Sequence, residues 1–194
     1  MILVVAGAAA AGFWLAHRLE HSAPQLTSGT WLPQGRDLGE FSLIDQNSAP
    51  FTAARLRGAP TLVYFGYTHC PDVCPATLLQ LAQVLKSGVV PGLRVAFISV
   101  DPQRDTPTQL AQYVHAFDPD FLGLTGTPAM LKTLAQRFGV VFMRVELPGG
   151  DYSMDHSSTI FLMDARGHNV AVFNAPYDVK SLTQDLRLAA GDLG

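Results

Sequence analysis

From Pro60 onward, short runs of apolar, β-branched and aromatic residues alternate with longer segments of helical periodicity. The short runs predict strands at residues 61–65, 93–100, 140–145, 159–164 and 170–173. The longer segments predict helices at residues 75–86, from Thr106–Pro107, from Thr127–Pro128 to Gly139, and over residues 179–189. This alternation favours an α/β or α+β fold, in which helices cover the faces of one sheet.

The first sixteen residues, MILVVAGAAAAGFWLA, carry no charged side chain. A membrane-spanning helix needs about 20 apolar residues, with a lower limit of roughly 17, so this segment is close to the minimum. Three interpretations stay open: a signal-anchor helix, a cleaved signal peptide, or a buried helix. A buried helix normally alternates with polar positions, and none occurs here. We therefore expect residues 1–17 to be a membrane anchor or an uncleaved signal segment.

Residues 18–38 are rich in Ser, Pro, Gly and Thr and lack hydrophobic periodicity, which predicts a linker. Arg18 is the one basic side chain beside the anchor, and the positive-inside rule alone then favours a cytoplasmic domain. The two cysteines, Cys70 and Cys74, favour the opposite, non-cytoplasmic side of the membrane. Residues 39–194 are expected to form one domain, which starts with a short hairpin on either side of the turn-prone DQNSAP.

The composition and charge of the chain indicate which kinds of molecule it can bind. Apolar residues make up 48% of the chain, enough to bury a core, and the net charge is −3. No basic stripe and no cluster of aromatic and basic residues stands out, so we exclude nucleic acid as a partner.

Only two cysteines occur, Cys70 and Cys74, and they lie where the strand at 61–65 leads into a helix. A pair this close cannot staple a small secreted fold, so it is more typical of a reactive or metal-binding pair. A helix amino terminus stabilises a thiolate, and a spacing of four places both sulfurs on one side of a helical turn. Thioredoxin-type redox pairs have two intervening residues rather than three. The wider spacing suits a metal ion at least as well as dithiol exchange.

Two thiolates rarely hold a transition metal alone, so we expect a third donor among the six histidines. His156 lies in the polar segment DYSMDHSS, the kind of exposed loop in which functional residues concentrate, although a histidine there is often merely solvated. The other five are expected to face away from the sulfurs or to lie at the surface: His17, His21, His69, His115 and His168. Two thiolates and one imidazole suit copper, because thiolates favour Cu(I) and imidazole also accepts Cu(II). Zinc is the rival, but structural zinc sites are closed and four-coordinate, and no fourth strong ligand is evident.

Three stretches, YFGYTHCPDVCPATL, ISVDPQRDTP and DHSSTIFLMD, together resemble the Sco/SenC family of copper-binding assembly factors. The resemblance extends from about Phe41 to the carboxyl terminus. It implies a thioredoxin-like fold on a single membrane anchor, facing the bacterial periplasm or the mitochondrial intermembrane space. The two family cysteines fall on Cys70 and Cys74 and the family histidine on His156, which implies one copper ion, Cu(I) or Cu(II), per chain. Asp72 and Asp155 also match family positions, where we expect supporting or transfer roles.

The resemblance further implies a metallochaperone that delivers copper to, or reduces the cysteines of, the copper site of cytochrome c oxidase during its assembly. The expected partners are the oxidase subunit that carries this site, another periplasmic copper carrier and a thioredoxin-like reductant. Two alternatives stay open: a thiol–disulfide oxidoreductase, for which His156 would be dispensable, and a redox or copper sensor. The segment 101–107 (DPQRDTP) also matches the family, and a capped helix start after a buried strand is sufficient to explain it.

Overall fold

The computed structural model describes residues 23–194. The anchor predicted for residues 1–17 and the first part of the predicted linker lie outside the described residues. Within residues 23–194, no helix combines the length and the apolar composition that crossing a membrane requires.

The chain folds around a mixed sheet. Its strands are β1 (Thr30–Asp37), β2 (Ser42–Asp45), β3 (Pro50–Thr52), β4 (Thr61–Gly66), β5 (Arg94–Ser99), β6 (Leu122–Thr125), β9 (Thr159–Met163) and β10 (His168–Asn174), while β7 (Phe142–Glu146) and β8 (Tyr152–His156) form a separate hairpin. The order in the eight-stranded sheet is β1-β10-β9-β4-β5-β6-β2-β3. The predicted amino-terminal hairpin is confirmed as the antiparallel pair β2–β3.

The helices are α1 (Ala53–Leu56), α2 (Val73–Lys86), α3 (Pro107–His115), α4 (Pro128–Phe138) and α5 (Val179–Ala189), followed by a 3₁₀ turn at Ala190–Asp192. Both predicted Thr-Pro helix starts are confirmed. The Thr106 side chain caps α3 by accepting a hydrogen bond from the Gln109 amide, and Thr127 does the same for α4. A mixed sheet flanked by helices matches the thioredoxin-like fold that the resemblance implies.

The centre of the sheet decides where the loops meet. Strand β4 is buried at every position, as its continuous apolar sequence predicts. It runs parallel to β5, with Gly66 paired to Ser99. The carboxyl ends of these two strands therefore lie side by side, and the segments that follow them emerge at the same edge of the sheet.

The linker predicted for residues 18–38 is wrong for its last part, because Thr30–Asp37 form β1 and pair antiparallel with β10. The pairing is irregular between Trp31 and Arg36, a stretch that contains Pro33 and Gly35. Strand β1 is an edge strand, and edge strands tolerate polar side chains, Pro and Gly. Composition alone therefore did not distinguish it from a tether.

Candidate metal centre

The cysteines lie where β4 leads into α2. Residues 67–72, the cysteine loop, connect the two elements, and α2 begins at Val73, two residues before the predicted start. Cys70 is half-buried in this loop, whereas Cys74 is fully buried in the first helical turn. The Cys74 amide donates to Cys70 Sγ over 3.4 Å. An amide of the first helical turn thus donates to the Cys70 sulfur, as expected for a sulfur at a helix amino terminus.

Gly66 makes room for the buried sulfur. A Cβ atom on this residue would lie 2.9 Å from Cys74 Sγ and 2.7 Å from the Phe97 ring. Any larger residue would displace either the aromatic ring or the thiol, so the last position of β4 requires glycine.

A buried carboxylate in the segment that follows β5 fixes the cysteine loop. Asp105 accepts hydrogen bonds from the Thr68 amide (3.0 Å) and the Thr68 hydroxyl (2.6 Å), and from Ser99 Oγ (2.6 Å). His69 Nδ1 lies 3.0 Å from Thr68 Oγ1 and 3.8 Å from an Asp105 oxygen. The His69 ring therefore faces Asp105, and it is not part of the donor cluster described below.

His156 comes from the β7–β8 hairpin, hereafter the histidine hairpin. The segment predicted as an exposed loop is strand β8, and His156 is half-buried at its carboxyl end. Its Nδ1 lies 3.1 Å from the Ser157 carbonyl oxygen. Because a carbonyl only accepts, this contact places the ring proton on Nδ1 and leaves the lone pair of Nε2 free. Nε2 lies 3.3 Å from Cys74 Sγ.

One donor atom each from Cys70, Cys74 and His156 therefore converge, all within 4.8 Å of one another. Among residues 23–194 this is the one group of three or more His, Cys, Asp or Glu side chains close enough to share an ion. Two sulfurs and an imidazole nitrogen are soft or intermediate donors, which fit copper or zinc and exclude calcium and magnesium. The donor set thus fits the copper ion that the sequence implies.

Burial sets the protonation of the donors. It raises the pKa of the Cys74 thiol, so this group is protonated at neutral pH without a metal. Burial lowers the pKa of His156, which keeps the imidazole neutral and able to bind a metal. The rings of Tyr64 and Tyr67 meet the imidazole edge-on, at centroid distances of 6.1 and 6.0 Å, and shield that side of the site.

Asp72 and Asp155 are both exposed and lie outside the donor cluster. Asp72 precedes α2, but its side chain makes no capping hydrogen bond. Asp155 is paired with Met143 across the histidine hairpin, and the alternation of β8 places it on the opposite face from His156. Their expected supporting roles stay predictions.

Sequence reasoning missed the residues that hold the site together. Asp105 and Arg104 belong to the segment DPQRDTP, which was explained as a helix start alone, and Tyr67 and Tyr152 carried no local signal of a role. Their contacts cross between segments that are far apart in the chain. The family resemblance was the one signal that pointed to part of this set, because the stretches that carry it include Tyr67, Arg104 and Asp105.

Comparison with known proteins agrees with this geometry. The SCO1/SenC family model matches residues 33–191. The mitochondrial SCO1 homolog 1 of Arabidopsis thaliana is 42% identical over 152 residues, which cover 75% of this chain and 44% of that protein. The SCO2-like protein RC0895 of Rickettsia conorii is 38% identical over 157 residues, which cover 77% of this chain and 75% of that protein. The chain thus spans less than half the length of the Arabidopsis relative.

Two solved structures share both fold and sequence with the chain. Arabidopsis thaliana ScoI with copper bound superposes with a TM-score of 0.74 at 39% identity, covering 77% of this chain and 94% of that one. Bradyrhizobium japonicum ScoI with copper bound superposes with a TM-score of 0.68 at 41% identity, covering 80% of this chain and 96% of that one. On the family model and on these identities, the chain belongs to the SCO1/SenC family.

Proposed function

We propose that this chain is a copper chaperone, which carries one copper ion on Cys70, Cys74 and His156 and delivers it to the copper site of cytochrome c oxidase, or prepares the cysteines of that site. The observation that carries the proposal is the convergence of these three donors within 4.8 Å. Relatives with 39% and 41% identity bind copper in their solved structures, which supports copper over zinc.

The site is built to accept and release an ion rather than to enclose it. Cys74 is buried, whereas Cys70 and His156 are half-buried, so the site is open on the side of these two residues. Three protein ligands leave a further coordination position free. A thiolate of the recipient can enter there and displace the ligands of this chain one after another, which is how a cargo ion is transferred without being released into water.

The test is the copper content and affinity of the reduced chain. We expect one copper per chain, and a marked loss of Cu(II) affinity in His156→Ala, because two thiolates alone are a poorer set for Cu(II). His69→Ala is the matched control, since it removes an imidazole beside Cys70 that faces Asp105 instead of the sulfurs. If His156→Ala held Cu(II) as tightly as the parent, the three-ligand site would be wrong.

We further propose that residues 1–17 hold the domain at the periplasmic face of the bacterial inner membrane or in the mitochondrial intermembrane space. Mitochondrial and bacterial relatives support such a location. Resistance of the full chain to alkaline carbonate extraction, together with digestion of its domain by protease added on the periplasmic or intermembrane side, is the expected result. Release by carbonate, or protection from that protease, would contradict it.

A second function, thiol–disulfide exchange, is favoured by the unequal environments of the two cysteines. Cys70 is half-buried and its sulfur accepts a hydrogen bond from the Cys74 amide, whereas the Cys74 thiol is buried and its pKa is raised by burial. The Cys70 thiolate can attack a partner disulfide, and Cys74 can then lose its proton and resolve the mixed disulfide. This releases the two thiols of the partner and leaves a disulfide on this chain, which a dithiol reductant of the thioredoxin type must reduce again.

Loss of His156 separates the two functions. Exchange requires both cysteines, and we expect Cys70→Ser and Cys74→Ser to abolish turnover of a partner disulfide while His156→Ala retains it. Equal activity of Cys70→Ser and the parent would eliminate exchange. Copper delivery should fail in all three variants.

A further inference from the structure

The histidine hairpin needs side-chain contacts to hold it in place. Strands β7 and β8 pair with each other and, within residues 23–194, with no strand of the main sheet. An isolated two-stranded hairpin is marginally stable in water. The distance from His156 Nε2 to the sulfurs therefore depends on whatever fixes this hairpin against the domain.

Met154 of the hairpin is buried in the core, and polar contacts reach the hairpin from residues 101–105, the segment that follows β5. The Tyr152 hydroxyl donates to Asp101 Oδ1 over 2.8 Å. Arg104 Nη1 donates to the Tyr152 carbonyl oxygen over 3.0 Å, and the Arg104 guanidinium lies over the Tyr152 ring, 3.6 Å from its centroid. Asp101 is buried and also accepts a hydrogen bond from Arg104 Nε, so it orients both partners.

Arg104 is also connected to the His156 imidazole, through the ring of Tyr67. Its guanidinium lies 5.8 Å from the centroid of the Tyr67 ring. The Tyr67 ring in turn meets His156 edge-on, at a centroid distance of 6.0 Å and an interplanar angle of 89°. A continuous series of packed groups therefore connects Arg104 to the third proposed ligand.

Residues 101–105 also hold the cysteine loop, which supplies Cys70. Asp105, the residue after Arg104, fixes the cysteine loop through Thr68. A capped helix start explains Thr106 and Gln109, but it does not explain Arg104, whose hydrogen bonds go to Asp101 and to the histidine hairpin. Residues 101–105 thus lie between the two parts of the chain that supply the donors.

We propose that Arg104, oriented by Asp101, is a positioning residue that holds the histidine hairpin so that His156 faces Cys70 and Cys74. This inference rests on the proposed copper binding. Residues that orient metal ligands typically contribute 10- to 100-fold to metal affinity. We expect Arg104→Gln to lower Cu(II) affinity by about that factor, and to change the thiolate-to-Cu(II) absorption and the nitrogen coupling in the EPR spectrum.

Arg144→Gln is the matched control. Arg144 lies over the other face of the same Tyr152 ring, also 3.6 Å from its centroid, and carries the same charge. Its main partner is Glu146 of its own strand, at 2.7 Å, and it reaches the segment after β5 through the exposed Gln103. We expect its Cu(II) affinity and spectrum to stay close to those of the parent.

A second comparison separates positioning from a general loss of structure. In a His156→Ala background, Arg104→Gln should cause no further loss of copper affinity, because the ligand through which it acts is absent. Arg104→Lys keeps the charge but loses the planar stacking surface, so an intermediate affinity is expected. If thermal unfolding shows that Arg104→Gln is not folded, Arg104→Lys and Tyr152→Leu provide the same comparison. Each of them changes one partner of the contact between Arg104 and Tyr152.

The outcomes distinguish the two proposals. A parent chain that binds no copper would overturn the proposed function. A parent that binds copper, with Arg104→Gln matching its affinity and spectrum, would overturn the positioning role alone. The positioning role would also be overturned if the loss were equally large with and without His156.

Discussion

At the scale of single residues, two of the proposed ligands, Cys74 and His156, differ in whether they carry a proton that the metal must displace. Burial raises the pKa of Cys74, so its sulfur carries a proton at neutral pH. Burial lowers the pKa of His156 from its ordinary value of 6.5, so its Nε2 is free of a proton under the same conditions. In the proposed site, copper therefore has to displace a proton from Cys74 but none from His156.

This difference predicts how copper affinity depends on pH. Below the pKa of Cys74, each copper ion that binds releases about one proton from this thiol. Cys74 therefore makes the logarithm of the apparent copper affinity rise by about one per pH unit. His156 adds nothing to this slope above its own lowered pKa. Competition of Cu(I) against a chelator at several pH values above neutrality measures the slope.

The controls for this prediction are the ligand variants. Cys74→Ser should lower the slope by about one unit, whereas His156→Ala should weaken binding without changing the slope. A slope that is the same in Cys74→Ser and in the parent would show that Cys74 does not bind copper as a thiolate.

At the scale of helices and strands, local chemistry was enough to place some elements. Thr106 and Thr127 were predicted as caps because Thr is favoured at the N-cap and Pro at the first helical position. Strand β4 was predicted because every position is apolar or β-branched. Strand β8 was not, because its polar sequence is typical of a loop, and a hairpin outside the main sheet buries few of its side chains.

The site was predictable only in its local half. Cys70 and Cys74 are four residues apart, so the junction between the cysteine loop and α2 is enough to bring them together. Local context left His156 as one candidate, and the resemblance identified it. The contact between Asp105 and Thr68 follows from the pairing of Gly66 with Ser99, a register that only the folded sheet defines. Contacts of this kind depend on tertiary structure, and no local pattern indicates them.

The Asp105 contact predicts a stability cost. Asp105→Ala removes the acceptor for two donors on Thr68 and for Ser99 Oγ, and each unsatisfied buried donor costs about 1–3 kcal/mol. We expect the free energy of unfolding to fall by at least the lower of these values, as measured by urea denaturation. Asp118→Ala is the control, since the Asp118 carboxylate accepts one exposed hydrogen bond, from Asp120. Equal losses in the two variants would contradict the assigned role of Asp105.

At the scale of the whole molecule, the segment predicted as a linker is tied to the opposite end of the chain. Asp185 on α5 is fully buried and accepts five hydrogen bonds, at 2.7–2.9 Å, from the amides of residues 27–29 and the hydroxyls of Thr27 and Ser28. A Cβ atom on Gly29 would lie 2.4 Å from the Phe173 ring, so only glycine fits at this position. Strand β1 follows directly and extends the sheet beside β10.

Loss of this single carboxylate should therefore loosen the first strand of the fold. Burial opposes the ionisation of Asp185, but its hydrogen bonds outweigh burial and hold the pKa of the carboxyl below its ordinary value of 3.8. A lowered pKa in the folded state means that the stabilisation is fully present above about pH 4 and is lost as the pH falls through the folded value. Asp185→Asn replaces one acceptor oxygen with a donor that faces other donors, and we expect a cost of about 1–3 kcal/mol at neutral pH.

Urea unfolding of the parent and the variant, at neutral pH and in acid, tests both the size and the sign of this effect. The difference between them should be largest at neutral pH and should shrink below pH 4, because the parent carboxyl then becomes neutral as well. Asp178→Asn is the matched control: it is the same change on the same helix, at the exposed amino-terminal cap, where asparagine caps as well as aspartate. A difference for Asp185→Asn that grew in acid, or one no larger than that of Asp178→Asn, would mean that residues 27–29 are held to α5 by something other than this carboxylate.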